Sequence, residues 1–531
     1  MTAPKAIFIG MPGVGKSAVG RRVAKRMGLD FADTDWLIEE RTGKSIEEIF
    51  AHDGEAVFRE IEADVIAAAL QDFSGILSLG GGAITHPRTQ ELLRTQRVIL
   101  IEAEDHVLAT RLRNSPNIRP ILADDVEARL GQIRKTRLPI YRSLASEVLI
   151  SNEEPVYSVV EDAMATIDSA HNIVKVAGEK EYRVIIGRHL QSAILSQAQR
   201  YPAALIICAP QLAQLAQSLQ RKLKICGVQV EIFMLPCGEA AKDVQVLAAA
   251  WEAAGKHHLG RDGLIITVGG GATTDLGGFV AATWLRGIDV IHVPTTLLGM
   301  VDAAIGGKTG INTGAGKNLA GSFHAPVGVY CDLDTLATLP IDEIRAGMGE
   351  VIKCGFIADK EILQLVAQHG RNILNWQNPG LTESIFRAIK VKAEIVSSDF
   401  RESGMREFLN YGHTFGHAIE RAEDYQKRHG EAVAIGCVFA SALAEAAQIA
   451  PPGFTKLHHD AFLALGLPVA YPQGKRDELS YFMYADKKVR QGELRFVILR
   501  HIGQPEIITN PSQEVLDKAF TAIGIHSASV A

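Results

Sequence analysis

One stretch constrains the fold more than any other. Val268–Phe323 packs glycine, threonine, aspartate and lysine into the middle of a 531-residue chain. Leu264-Ile265-Ile266-Thr267-Val268 at its head is a short apolar run and reads as a buried strand. Gly269, Gly270 and Gly271 follow at once, and Asp275 precedes an apolar helical pattern over Leu276–Trp284. A glycine turn between a strand and a helix N-terminus is a seat for pyrophosphate, because free N–H groups and the helix dipole face the anion. A second strand pattern, Val290–Val293, runs into Pro294-Thr295-Thr296, and Lys308 and Lys317 sit in glycine-rich backbone with Asp302 nearby. A lone glycine triplet is a weak signal. Joined to the PTT, GGKT and GKN runs, it points to a polyanionic ligand.

The chain is too long for one core, and its length implies three or four domains. With 47% hydrophobic and 22% charged residues it is an ordinary globular protein. A net charge of −6 argues against nucleic acid or a membrane surface as partner, so any anion site is local. Cys208, Cys226, Cys237, Cys331, Cys354 and Cys437 form no CxxC pair, which fits buried thiols in a reducing compartment. No signal-peptide pattern and no long apolar window stand out, so the expected location is the cytoplasm.

Near the N-terminus, Ala6–Ile9 reads as a strand and Ser17–Met27 as a helix. Between them Gly10-Met11-Pro12-Gly13-Val14-Gly15-Lys16-Ser17 matches G-x-x-x-x-G-K-S in the context that a P-loop requires. Its backbone wraps phosphates, Lys16 reaches the β- and γ-phosphates and Ser17 ligates Mg²⁺. Asp33-Thr34-Asp35 follows a strand-like Leu29–Ala32; Arg59 and Glu60 lie on an apolar-periodic helix; Leu77–Leu79 runs into Gly80-Gly81-Gly82; Arg119 closes a polar run, and Arg137 sits before Tyr141. An acid, arginines and a glycine turn can hold a small polyhydroxy acid, the arginines gripping its carboxylate. In this order after a P-loop, residues 1–168 resemble shikimate kinase. The resemblance implies an ATP site of Gly13, Val14, Gly15, Lys16, Ser17, Ala18 and the lid residue Arg119. It places Asp33 with Ser17 on the Mg²⁺ side, and Asp35, Arg59, Gly81 and Arg137 on shikimate, with Asp35 as base.

A polar stretch, 169–181, reads as a linker, with the boundary near residue 172. Beyond it strands alternate with helices (Ala204–Cys208, Val228–Met234, Leu264–Val268, Val290–Val293), and after about residue 340 the pattern turns helical over 342–357, 360–368, 380–398, 412–423 and 430–449. Glu350 lies on the first of these helices. His413 and His417 are four apart on one helical face, and His429 precedes Gly430-Glu431. Three nitrogen or oxygen ligands with an open position make a catalytic zinc pattern, but spacing does not choose among the three histidines.

From near Tyr182 to its end, the chain resembles 3-dehydroquinate synthase. The resemblance implies NAD contacts from Gly238, Glu239, Lys242, Gly270, Gly271, Ala272, Thr273, Thr274, Asp275, Thr295, Thr296, Lys308, Lys317, Asp334, Thr335 and Leu336. It implies Zn²⁺ or Co²⁺ on Glu350, His413 and His429. It implies a heptulosonate phosphate held by Arg286 (reaching over from a second subunit), Asp302, Asn318, Lys353, Lys392, Arg406, Asn410, His417 and Lys487, with Lys308, Lys353, His417 and Asp302 catalytic. Where the family places an acidic or amide residue facing the adenosine ribose, this chain reads Cys208-Ala209-Pro210-Gln211, so either Gln211 makes that contact or it is absent.

The expected architecture is α/β: a P-loop kinase domain (1–168), the linker (169–181), a Rossmann-like NAD domain (182–340) and a mainly α-helical metal and substrate domain (341–531), with a homodimer through the synthase half. The implied activities are ATP-dependent phosphorylation of shikimate and cyclisation of 3-deoxy-D-arabino-heptulosonate 7-phosphate to 3-dehydroquinate. A different sugar-phosphate cyclase or a metal-dependent alcohol dehydrogenase is the rival for the second half. A non-catalytic nucleotide sensor is the rival for the whole, and the intact Lys16 and metal-ligand set oppose it.

Overall fold

The computed structural model of the chain describes residues 3–114, 126–169, 171–402, 404–471, 475–487 and 493–525, with main chain alone for 485–487. Two units emerge from the packing. One holds residues 1–170 with 189–204 and 214–232; the other holds 171–188, 205–213 and 233–531.

The first unit contains a five-stranded sheet of β1 (Ala6–Gly10), β2 (Phe31–Asp33), β3 (Ile76–Ser78), β4 (Val98–Glu102) and β5 (Glu147–Ile150), in the order β2-β3-β1-β4-β5. Every pairing is parallel. β1 is buried throughout. A strand covered on both faces needs no polar alternation, which is why Ala6–Ile9 is a continuous apolar run. The Lys16–Met27 helix follows β1 directly, so the P-loop sits at the carboxyl end of a central strand.

A seven-stranded sheet comprises β6 (Asn172–Val176), β7 (Tyr182–Gly187), β8 (Ala203–Cys208), β9 (Gln229–Met234), β10 (Leu264–Gly269), β11 (Asp289–Pro294) and β14 (Gly328–Asp332), in the order β6-β7-β14-β11-β10-β8-β9. β7, β14, β11 and β10 pair in parallel, and β6 closes that edge antiparallel to β7. Between β11 and β14 stands a two-stranded hairpin, β12 (Lys308–Thr313) with β13 (Gly316–Phe323). Helices Ile341–Ile357, Lys360–His369, Pro379–Ser398, His413–Ala422 and His429–Ala446 follow. They share one apolar core. The His429–Ala446 helix runs through its middle, with every residue from Ala432 to Ala444 buried. A helix apolar all round has no other stable place.

Four features depart from the sequence reading. The stretch read as a linker contains β6, which completes a sheet edge. Residues 189–204 and 214–232, read as part of the NAD domain, pack into the first unit. The Gly-rich helix begins at Gly271, four residues before Asp275, because Thr273 and Thr274 already donate to the Gly270 carbonyl. Both the β12/β13 hairpin and a second one, β15 (Arg495–His501) with β16 (Gln504–Thr509), lie where the pattern showed no strand. Glycines hide the first. A Cβ on Gly310 would sit 2.7 Å from the Ala320 carbonyl oxygen and one on Gly321 2.1 Å from that of Thr309, so this close pairing excludes the β-formers that announce a strand.

Within the first unit, the buried Ser196 hydroxyl donates to the Ala145 carbonyl at 2.8 Å, and the Arg142 guanidinium donates to the Cys226 carbonyl. A fragment ending at residue 169 loses both bonds. At about 1 kcal/mol each, its melting temperature is expected to fall by roughly 4–8 °C relative to the first unit's transition in the whole chain. Scanning calorimetry of fragment and full chain, with coincident transitions as the contrary outcome, checks this.

Candidate functional site

In the first unit, the Lys16 ammonium donates back to the Gly10 and Met11 carbonyls at 3.0 and 3.2 Å, across the P-loop. Ser17 Oγ donates to Asp33 Oδ2 at 2.5 Å, and Ser78 Oγ lies 3.4 Å from Ser17 Oγ. Asp33 also caps the next helix by accepting from the Asp35 amide at 3.1 Å. One hydroxyl and one carboxylate therefore meet beside the phosphate seat, a donor set suited to Mg²⁺. Gly13, Val14 and Gly15 form the loop and Ala18 continues the helix. Arg119 lies outside the described residues.

The second half of this site converges on Gly80-Gly81-Gly82. The Arg59 guanidinium holds buried Glu62 at 2.6 Å, and a side chain on Gly82 would strike it. Asp35 Oδ1 and Glu62 Oε1 each lie 2.8 Å from the position of a Cβ on Gly80. Arg137 and Tyr141 both donate to the Gly81 carbonyl, at 3.0 and 2.5 Å. Burial raises the Glu62 carboxyl despite Arg59 beside it. Asp35, Arg59 and Arg137 thus all approach the one turn that holds Gly81. Glu62 and Tyr141 were not foreseen; Glu62 sits three residues after Arg59 on the same helical face, which was the available signal.

In the second unit, Glu350 lies on the Ile341–Ile357 helix and is 2% exposed. His413 and His429 are each the first residue of a helix. Their Nε2 atoms lie 3.6 and 3.3 Å from the same atom, Glu350 Oε1. That oxygen has no hydrogen-bond partner among the described residues. An orphaned, buried carboxylate oxygen facing two imidazole nitrogens suits a divalent ion, and the three donor atoms lie within 4.8 Å of one another. The other oxygen, Oε2, pairs with the Lys353 ammonium at 2.5 Å, and Lys353 also donates to the Leu409 carbonyl at 2.7 Å. Burial would raise the Glu350 carboxyl, but Lys353 and the two imidazoles outweigh it and hold it well below the carboxylate range. The His417 ring lies 5.2 Å from that of His413, the same separation as His413 from His429, and it too lines the cleft; what distinguishes His413 and His429 is the approach of their Nε2 atoms to Glu350 Oε1.

Glycine sets these distances. A Cβ on Gly430 would lie 1.7 Å from the Ala346 carbonyl oxygen, and one on Gly349 2.4 Å from the Gly430 carbonyl oxygen. The helices bearing Glu350 and His429 therefore touch backbone to backbone, beside the two ligands.

Two cavities of about 390 and 230 Å³ flank this centre and share Asp275, Asp302, Asn318, His417 and His429. The larger is lined by Glu239, Lys242, Gly271, Ala272 and Lys317. Lys242, 4% exposed, donates to Asp275 at 2.7 Å and to Asn318. The smaller is lined by Lys308, Lys353, Lys392, Arg406 and Asn410. Each of its outer cations faces an acid or a carbonyl: Lys392 on Asp302, Lys308 on Glu402 at 2.5 Å, Arg406 on the Gly306 carbonyl at 3.0 Å. Burial raises the Asp302 carboxyl, but Lys392 overrides it and brings it down to about 2. Desolvation lowers the Lys308 ammonium although its side chain is 49% exposed.

Other expected contacts lie elsewhere. Gly238 precedes Glu239 in a 3-10 turn, and Gly270 caps the glycine-turn helix. Thr273, Thr274 and Thr295 are buried against the turn rather than open to the cavity, and Thr296 Oγ1 accepts from the Gly299 amide at 3.0 Å. Asp334 pairs with Arg188 at 2.7 Å, Thr335 donates to the Asp332 carbonyl at 2.7 Å, and Leu336 is core. None of these three lines either cavity. Arg286 is exposed with φ 68 and lines neither cavity; Gln211 is exposed after β8; the Lys487 side chain lies outside the described residues. Glu402 and Glu420 were not foreseen. Glu420 follows His417 by three residues and shares its helical face.

Fold and sites together define a P-loop kinase domain joined to a cyclase of the sugar-phosphate class. The family model for shikimate kinase matches residues 12–168, and those for the N- and C-terminal parts of 3-dehydroquinate synthase match 232–346 and 347–489. The chain is 46% identical over 352 residues to the 3-dehydroquinate synthase of Corynebacterium jeikeium, covering 66% of this chain and 95% of that one. It is 46% identical over 360 residues to that of Mycobacterium leprae, covering 68% and 99%. Among solved structures it resembles a 2-epi-5-epi-valiolone synthase from Streptomyces hygroscopicus with NAD⁺ and Zn²⁺ bound (TM-score 0.61, 26% identity, 66% of this chain and 98% of that one). It also resembles a 2-deoxy-scyllo-inosose synthase complexed with carbaglucose-6-phosphate, NAD⁺ and Co²⁺ (TM-score 0.59, 25% identity, 65% and 98%). The chain belongs to the 3-dehydroquinate synthase family and is a fusion of that enzyme with a shikimate kinase domain. Among the described residues, no helix is long and apolar enough to cross a membrane.

Replacing Gly430 by alanine forces the two ligand-bearing helices apart. The expected cost is about 3 kcal/mol of stability. Divalent-metal affinity is expected to fall at least tenfold, read by chelator competition; unchanged affinity contradicts the backbone-contact account.

Proposed function

We propose that the first unit transfers the γ-phosphoryl group of Mg²⁺-ATP to shikimate. We propose further that the second, with NAD⁺ and Zn²⁺ or Co²⁺, converts 3-deoxy-D-arabino-heptulosonate 7-phosphate to 3-dehydroquinate and phosphate. The observation that carries the second reading is Glu350 Oε1, buried and faced by two imidazole nitrogens beside a cation-lined cleft.

In the kinase, phosphoryl transfer needs positioning and neutralisation more than covalent help. Lys16 leaves its loop carbonyls for the β- and γ-phosphates, and Ser17 with Asp33 holds Mg²⁺. Arg59 and Arg137 take the shikimate carboxylate, and Gly81 leaves room for its ring. Asp35 accepts the proton of the hydroxyl that attacks. Glu62 keeps Arg59 in place and Tyr141 keeps the Gly81 turn in place.

In the synthase, Glu350, His413 and His429 hold the ion, and the glycine turn with Lys242 and Asp275 receives the dinucleotide phosphates. Bound there, the metal supplies Lewis-acid polarisation of the substrate hydroxyls and the nicotinamide a reversible hydride acceptor. Lys353 neutralises the second oxygen of Glu350, so the carboxylate stays charged although it is buried. Lys392, Arg406 and Lys308 are the cations that exchange an internal partner for a substrate anion, one end taking the carboxylate and the other the phosphate. His417 and Asp302 face the same cleft, where they hold and pass protons. Arg406 and Asn410 favour a substrate that bears a carboxylate as well as a phosphate over a sugar phosphate without one. Arg286, exposed on strained backbone, reaches a second copy's site in a homodimer.

Two experiments test these readings. Chelation followed by dialysis into Mg²⁺ is expected to restore shikimate-dependent ADP formation but not phosphate release from the heptulosonate phosphate. Zn²⁺ or Co²⁺ then restores the latter, and full release with Mg²⁺ alone overturns the metal reading. Asp35→Asn is expected to lower ADP formation by roughly 10²–10⁴-fold and leave phosphate release within twofold; an unaffected kinase removes Asp35 as base.

A further inference from the structure

Glu420 has no role in the reading above, yet it is buried to 7% exposure beside the metal ligands. It lies on the His413–Ala422 helix, seven residues after one ligand, so a single helix presents both to the same side. Its Oε1 stands 3.4 Å from His429 Nδ1, while His429 Nε2 stands 3.3 Å from Glu350 Oε1. The imidazole of His429 is thus gripped at both nitrogens.

Chemistry fixes the division of labour. A neutral imidazole carries one N–H, and a nitrogen that gives its lone pair to an ion cannot be the one protonated. With Nε2 turned to Glu350 and the ion site, Nδ1 must carry the hydrogen, and a carboxylate is the acceptor there. His413 shows the same arrangement with a different acceptor: its Nδ1 faces the Tyr411 carbonyl at 3.2 Å and its Nε2 faces Glu350. The two ligands are therefore oriented alike, one by fixed backbone and one by a side chain. A carboxylate acceptor also makes its imidazole the more basic ligand.

His417, Glu420 and His429 also form a group within ligand distance of one another. Making it a second metal site would require His429 to serve two ions through its two nitrogens. The Nε2 geometry already commits that ring to Glu350, so orientation is the reading the distances favour.

We propose that Glu420 is a positioning residue of the metal site: it accepts from His429 Nδ1, fixing the ring and its tautomer so that Nε2 faces the ion. This rests on the metal reading of Glu350, His413 and His429. The test is Glu420→Gln in the full-length chain, titrated with Co²⁺ against a chromophoric chelator. Co²⁺ affinity is expected to fall 10–100-fold and the visible Co²⁺ spectrum to shift, while ADP formation by the first unit stays within twofold. Glu420→Asp, which keeps the charge on a shorter stem, is expected to recover part of the loss. An affinity within twofold of the unaltered chain overturns the proposal, as does a stoichiometry that drops from two ions per chain to one, which would make Glu420 itself a ligand. Should the glutamine variant fail to fold by circular dichroism, Glu420→Asp decides alone: a threefold or greater loss supports the role and equality overturns it. If the unaltered chain binds no Co²⁺, the metal reading fails instead.

Discussion

The synthase half depends on one contact, the meeting of the Ile341–Ile357 and His429–Ala446 helices at bare backbone. Side chains normally keep helix axes 8–10 Å apart. Here Gly349 and Gly430 remove them, and the carbonyls of Ala346 and Gly430 fill the space where each Cβ would stand. Because Glu350 and His429 are the next residue and the preceding one, the contact fixes their separation. Gly412 does the same for His413: its φ of 78 and its approach to the Gly436–Cys437 peptide turn the chain abruptly into the helix that begins with the ligand. Placement of the three donors is thus a backbone property. It leaves the side chains few rotamers to lose when an ion binds.

Such a centre is costly without partners. A buried carboxylate and two imidazoles lose hydration, and a charge in that position is stable only when it is paired and bonded. Lys353 meets one oxygen of Glu350, leaving the other for a cation. The same economy runs through the cleft, where Lys392 rests on Asp302 and Lys308 on Glu402. These acids keep the cations satisfied in the absence of any ligand. Lys16 against its own loop carbonyls shows the same logic in the kinase unit. Both units also place a glycine turn between a strand and a helix N-terminus, where backbone N–H groups are free to meet an anion.

Much of this was legible in the residues. Gly10–Ser17 between a strand and a helix announced a phosphate loop, and the helical stretches after residue 340 were bounded within a few residues, since long apolar periods survive any tertiary context. What the residues could not show were choices made by contacts distant in sequence. Two histidines four apart on a helix satisfy any ligand rule, yet it is packing distant in sequence that brings the Nε2 atoms of His413 and His429 to one oxygen of Glu350. Asp275 has the composition of a helix cap, but Lys242, 33 residues away, claims its carboxylate. Asn172–Val176 looked like a connector because its polar flanks mask an edge strand with two buried residues. Glu62, Glu402 and Glu420 went unread because a lone glutamate has no pattern until its cation or imidazole is in place.

The claim that geometry selects His413 and His429, and not the adjacent His417, is tested most directly by X-ray absorption at the cobalt edge of the Co²⁺-loaded chain and of its His417→Ala variant. The account predicts two imidazole nitrogens and a carboxylate oxygen on cobalt in both. Loss of one imidazole in the variant, or a single imidazole in the parent, would contradict it.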